Sequence, residues 1–159
     1  MKGQPVPQTT SAKVFVLLFC VAEPAMDVAT GLWGLAAPVA FAKSTFPSLM
    51  QEPTLAASAE MMGMTRLAAL MILVLGPLER IALLYGSRTL RVLFLAAMLF
   101  GDVLHFGSTA LYESSVGGWS ATGVSAMGLA TALGATRVFY LVSGKVPVNP
   151  RYDLVEGGS

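Results

Sequence analysis

The stretch Leu90–Leu111 reads LRVLFLAAMLFGDVLHFGSTAL. About 20 predominantly apolar residues in a helix cross the roughly 30 Å hydrocarbon core of a bilayer, so this run is long enough to span one. It is interrupted near its middle by Asp102 and His105. A charged side chain at that depth costs about 2.5–3.5 kcal/mol even on a lenient insertion scale. A chain that keeps such groups must turn them toward a partner, not toward lipid.

Three further stretches have the same character: Val14–Trp33 (VFVLLFCVAEPAMDVATGLW), Met61–Tyr85 (MMGMTRLAALMILVLGPLERIALLY) and Trp119–Val142 (WSATGVSAMGLATALGATRVFYLV). VFVLLFCVA resembles the core of a secretory signal, but the apolar pattern continues to Trp33 without a small-residue cleavage site. We therefore read it as part of a span. Of the 159 residues, 55% are apolar and 12% charged, and the mean hydropathy is +0.68. An average soluble domain carries about 25% charged residues. The fold class predicted is an all-α membrane protein, a four-transmembrane-helix bundle. It occupies residues 13–144, with flexible tails at 1–12 and 145–159. Lys and Arg total 10 against 9 Asp and Glu, a net charge of +1. That leaves no basic excess for a phosphate backbone, so no nucleic-acid partner is expected. Cys20 is the single cysteine and His105 the single histidine. Disulfide frameworks, Cys-rich zinc sites and haem pairs are thereby excluded.

Lys2, Lys13, Arg88, Arg91, Lys145 and Arg151 all fall on one side of the predicted topology, and Lys43 on the other. By the positive-inside rule both termini are expected in the cytoplasm. The loop from Gly34 to Glu60 is predicted to carry a short interfacial helix around Pro38–Ala42. Lys13, Arg88, Arg91, Trp119 and Lys145 read as residues of the membrane interface.

Glu23, Asp27, Glu79, Arg80, Asp102 and Arg137 lie within the spans, with His105 beside them. Left unpaired they would forfeit more than ~10 kcal/mol, comparable to the stability of a whole domain. They must face one another or water inside the bundle. Counting 1.5 Å per residue along each helix sorts them by depth. Glu23, Asp27, Asp102 and His105 fall in a middle layer, and Glu79, Arg80 and Arg137 near the cytoplasmic end. On the first span, Glu23, Asp27 and Thr30 share a face. On the third, Asp102, His105, Thr109 and Tyr112 form a polar stripe. The second group reads as a structural ion pair, Glu79 with Arg137 or Arg80. Gly118, Thr122, Ala126, Ala130 and Gly134 form a small-residue stripe on the last span, suited to close packing. Pro24 and Pro77 are expected to kink their helices or free a carbonyl.

For the middle layer, three readings stand side by side: acid/base catalysis, a passive polar network, and ligand, ion or proton handling. Like charges repel, so at least one carboxyl is expected to carry its proton near neutral pH. A protonated acid opposite an ionised carboxylate or neutral histidine is a general acid/base pair. The candidate catalytic residues are Asp102, His105, Glu23 and Asp27. Thr109, Tyr112, Trp33, Glu79 and Arg137 are candidates for lining a substrate pocket. A metal site is not expected from one histidine without HxxxH or ExxH pairing. No cofactor is expected either, since no nucleotide or flavin fingerprint is present.

Glu23-Pro24, Glu79, the Leu-Arg-Val at Leu90–Val92, Gly101-Asp102-x-x-His105 and the R-x-F-Y-L-x-x-G of Arg137–Gly144 stand in this order along the chain. This pattern resembles a family of small fungal four-helix integral membrane proteins, a domain of unknown function, over Val14–Gly144. Arg80 directly after Glu79 and the Met-rich stretches depart from it. The resemblance implies a four-helix bundle in fungal endomembranes, the endoplasmic reticulum first among them. Some such proteins act in secondary metabolism, where they cyclise or isomerise polyketide or terpenoid intermediates or open their epoxides. The leading expectation is accordingly a membrane-embedded enzyme acting on a lipophilic small molecule. Asp27 or Glu23 would donate a proton to an epoxide, and Asp102, oriented by His105, would activate the attacking oxygen. Isomerisation or terpenoid cyclisation would use the same groups. A second expectation is a lipid- or sterol-binding or assembly protein in contact with membrane lipid. A third is a proton-coupled carrier, which four short helices form only as a homo-oligomer.

Overall fold

A computed structural model of the protein describes residues 9–45 and 58–147. The described residues form α1 (Thr10–Ala36), α2 (Pro38–Thr45), α3 (Ala59–Tyr85), α4 (Arg88–Ser115) and α5 (Ala121–Ser143). Four of these, α1, α3, α4 and α5, are long and apolar enough to cross a membrane. The short helix α2 stands where an interfacial helix was expected. The predicted tails and the Gly34–Glu60 loop lie partly outside the described residues. Within them, helix begins already at Thr10, and Val146 and Pro147 are buried.

Each long helix opens on a hydroxyl cap. Thr9 accepts from the amide of Ala12, Ser58 from Met61, Ser87 from Leu90 and Ser120 from Gly123. These side chains satisfy amides that a first helical turn leaves without partners. The capped starts of α1, α3 and α4 precede the first strongly apolar residue by a few positions, which is why hydropathy alone places them late. At its other end α5 stops at Gly144, whose φ of 66° is in the left-handed region that glycine adopts without steric cost.

The helices pair as two antiparallel hairpins. In the first, α1 and α3 approach so closely that a Cβ at Gly31 would stand 2.6 Å from Leu73 Cβ. A Cβ at Gly34 would meet Ala69 at the same distance, and one at Gly76 would meet the Pro24 carbonyl. In the second hairpin Gly134 of α5 faces Asp102 of α4, and Gly123 faces Glu113. Small residues permit this backbone approach, which replaces the hydrophobic effect as the source of packing energy between membrane helices.

The hairpins join around Phe15, Phe19 and Tyr140, whose rings meet edge-to-face at 5.0–5.8 Å between centroids. Cys20, Leu83, Leu84 and Leu95 complete this core. Tyr140 donates its hydroxyl to the Ser11 carbonyl at 2.6 Å, and Arg91 donates to the Pro147 carbonyl at 2.7 Å. Arg88 donates to the Gly144 carbonyl at 3.2 Å. The start of α1, the start of α4 and the end of α5 therefore share one end of the bundle. Apolar side chains dominate the outside, with Leu111 73% and Val142 83% exposed. A surface of that kind suits lipid as its solvent.

Within α1, Val16–Ala22 is wound as a π-helix, and the amide of Glu23 reaches back to the Leu18 carbonyl. Pro24 follows immediately. Its ring crowds the carbonyl of Cys20 and it has no amide to offer it, which favours the wider turn before it. The kink expected at Pro24 is thus a π segment ending at Glu23. Pro77 sits inside α3, which runs through it as one helix.

Candidate functional site

One charged residue from each long helix enters a single buried layer: Glu23 from α1, Glu79 from α3, Asp102 from α4 and Arg137 from α5. Arg137 is wholly buried and forms ion pairs through Nη2 with Glu23 Oε1 and through Nη1 with Asp102 Oδ2. Its guanidinium carbon also lies 5.4 Å from the centre of the Phe19 ring, a cation–π arrangement. The α5 backbone explains the reach. Gly134 is level with Asp102, and Arg137 follows three residues on, about 4.5 Å along the axis. Helical side chains slant toward the N-terminus of their own helix, so the long Arg137 side chain leans back to the level of Asp102.

Glu79 is also wholly buried, and Gly76, about one turn before it on α3, packs against the Pro24 carbonyl, which sets Glu79 beside Glu23. Asp27 is half-buried beside Gly76, with Oδ2 buried and without a donor. The two depth groups expected from the sequence are therefore one. Glu79 does not pair with Arg137 or with Arg80. Arg137 is held by Glu23 and Asp102, and Arg80 is exposed on the outside of α3.

His105 does not join the cluster. It is exposed, and three residues at about 100° each turn it some 60° around α4 from Asp102. The group that orients Asp102 is Arg137. Thr109 and Tyr112 are half-buried farther along α4. Trp33 is 45% exposed near the far end of α1, stacked edge-to-face on Phe41 of α2 at 5.3 Å. These three are not brought to the charged layer. The small-residue stripe of α5 also differs from its expected line. The buried face is Gly123, Met127, Ala130, Gly134, Arg137 and Tyr140. Strict i+4 steps drift around a helix by about 40° each, whereas alternating steps of three and four hold one face.

Asp102 is the member of the cluster that meets an open space. Its side chain is 15% exposed and borders a groove of about 300 Å³ between α4 and α5. Leu99, Val103, Phe106, Ala130, Thr131 and Gly134 form the remaining lining. Val103 and Phe106 are 61% and 45% exposed, so the groove opens on the outer face of the bundle. The wall is apolar apart from the Asp102 carboxylate and the Thr131 hydroxyl, and that hydroxyl donates to its own helix at the Met127 carbonyl. A site with these walls accepts an apolar molecule bearing one polar group placed against Asp102.

Two further charged residues are buried. Arg91, taken as an interface residue, is 3% exposed. Glu113 is 2% exposed and accepts from the Ser120 hydroxyl at 2.6 Å and from the Ser120 amide. The available signal was the serine preceding an apolar run, which marks a helix start that favours a nearby anion.

A family model described as a domain of unknown function, DUF7704, matches residues 9–145. The chain belongs to the DUF7704 family. The matched segment of this DUF7704 protein contains all four long helices and every residue of the charged layer. No curated protein and no solved structure matches it.

Proposed function

We propose that this chain is a membrane-embedded enzyme that performs acid/base chemistry on a lipophilic small molecule held in the groove between α4 and α5. One observation carries the reading: Asp102 both borders the apolar groove and is ion-paired to the buried Arg137. The substrate enters sideways from the bilayer, and its reacting group rests against Asp102. The favoured reaction is epoxide opening. Asp102 takes a proton from water, or from a hydroxyl of the substrate, as that oxygen bonds to an epoxide carbon. The carbon–oxygen bond breaks, and Asp102 returns the proton it has taken to the leaving oxygen, so the carboxylate is regenerated and the net change is hydration or cyclisation. Glu23 and Asp27, expected as donors, lie outside the groove lining. Isomerisation of a double bond is the nearest alternative, since it needs the same donor and acceptor.

The sequence pattern shared with fungal membrane proteins supports a role in polyketide or terpenoid secondary metabolism and residence in the endoplasmic reticulum. The basic residues Lys13, Arg88 and Lys145 at one end support cytoplasmic termini. A second reading is a non-catalytic lipid- or sterol-binding protein. It is favoured by the engagement of Asp102 with Arg137, which a purely structural ion pair would also show.

Asp102→Asn separates the two, because asparagine keeps the size and an oxygen acceptor for Arg137. The enzymatic reading expects Asp102→Asn to lose hydration or cyclisation of epoxy-polyene and epoxy-terpenoid substrates, followed by product mass, while thermal stability is retained. A variant that unfolds, together with a wild type inert across the panel, would leave the scaffold reading standing.

A further inference from the structure

We propose that Glu79 and Glu23 form a buried proton-binding site in which one proton lies between their carboxyl groups. Neither oxygen of Glu79 receives a hydrogen bond from a described N–H or O–H donor, and Glu79 is wholly buried. Glu23 is 5% exposed; its Oε1 is paired with Arg137, and its Oε2 has no such donor. Gly76 packs against the Pro24 carbonyl, so Glu79, about one turn further along α3, stands beside Glu23 across this α1–α3 contact. Two ionised carboxylates so placed offer acceptors only, and buried acceptors without donors are rare because each costs its full desolvation energy. A single proton resolves the conflict. One carboxyl becomes a donor, and the Glu79–Glu23 contact becomes a hydrogen bond.

The surrounding groups agree with this count. From α1, Asp27 lies beside Gly76 near the pair, and Cys20 is in the adjoining apolar core; from α5 comes Arg137, and from α4 Asp102 on the far side of Arg137. Among the described residues Arg137 is the cation ion-paired with the layer, and it already serves two carboxylates. A third ionised carboxylate would leave the layer with a net charge of −2 in a low-dielectric surrounding, which a bound proton reduces to −1. A metal ion is the other species that could neutralise such a layer. Among the described residues no three His, Cys, Asp or Glu side chains are arranged to hold one. The proton also has a mechanical consequence. If it moves onto Glu23, that residue loses its charge toward Arg137, and the guanidinium is held by Asp102 alone. Proton position within the pair thereby sets how strongly Arg137 holds the carboxylate that borders the groove. The proton site itself stands whether or not the groove receives a substrate.

Infrared spectroscopy of the full chain in lipid bilayers tests the assignment without any turnover. At neutral pH the wild type is expected to show a protonated-carboxyl C=O band that shifts when glutamate is 13C-labelled at the side-chain carboxyl. The band is expected to disappear in Glu79→Gln and to persist in Glu113→Gln, which alters a deeply buried glutamate outside the pair. If no acid C=O band responds to the glutamate label, or if the responding band vanishes in Glu113→Gln and not in Glu79→Gln, the proposal is wrong. The labelling experiment needs only the wild-type protein, so it decides even where Glu79→Gln does not fold.

Discussion

Arg137 on α5 and Glu23 on α1 form an ion pair across 114 positions of sequence, and neither residue is more than 5% exposed. This pair ties the α1–α3 hairpin to the α4–α5 hairpin, and the second pair, to Asp102, holds α5 to α4. Breaking a buried pair from one side leaves an uncompensated charge, which typically costs about 3–5 kcal/mol. Arg137→Ala is therefore expected to lose about that much in denaturant unfolding in bicelles. Replacing Arg137, Glu23 and Asp102 together by Met, Leu and Leu is expected to cost less than Arg137→Ala alone, because no orphan charge remains.

The α1–α3 hairpin depends on absent side chains. Gly31→Ala would put a methyl 2.6 Å from Leu73 Cβ and 2.7 Å from its backbone nitrogen, so a helix must shift. The expected loss is about 1–3 kcal/mol, the usual range for overpacking. Gly128 has nothing within 4 Å of such a methyl. Gly128→Ala is expected to be neutral or to stabilise by up to about 1 kcal/mol through helix propensity. Thermal melts of the two variants in the same detergent are the comparison to make.

Glu113 and Ser120 form one capping unit at the start of α5. Removing a cap costs about 0.5–2 kcal/mol, and a hydrogen bond to a charged group contributes about 1.5–3 kcal/mol. Ser120→Ala and Glu113→Ala are each expected to destabilise within those ranges. The double variant should fall short of their sum, since both remove the same bonds. A double-mutant cycle on unfolding free energies measures the shortfall.

Thr131 lines the groove, and His105, the histidine that the sequence favoured, does not. His105 is exposed and outside the groove lining, so His105→Ala is expected to change stability by less than about 0.5 kcal/mol and to leave the binding of an apolar fluorescent probe unaltered. Thr131 lines the groove from an exposed position. Thr131→Phe is expected to abolish probe binding while the melting temperature stays near wild type. Probe titrations of the two variants against wild type check both expectations.

Residue type and depth anticipated that the ionisable residues inside the spans must find partners, yet counting along each helix set Glu79 and Arg137 apart from Glu23, Asp27 and Asp102. Counting residues from helix ends assumes level, parallel cylinders. The error reached about one helical turn, and the Arg137 side chain, slanting along α5, spans that distance. His105 failed for a different reason: a three-residue step turns a side chain some 60° around the helix, which carries His105 from the Asp102 side of α4 to the exposed side.

The sequence by itself determined four apolar helices, their order, and the need for the ionisable residues inside them to find partners, because the energy of an unpaired charge in hydrocarbon depends only on residue type and depth. The tertiary structure alone decided that Arg137 joins Glu23 to Asp102, that Glu79 faces Glu23, and that Asp102 rather than His105 meets the groove. Those outcomes depend on where glycines let backbones approach and on which way each side chain leans. Both are properties of helices packed against each other, and neither is fixed by any single helix.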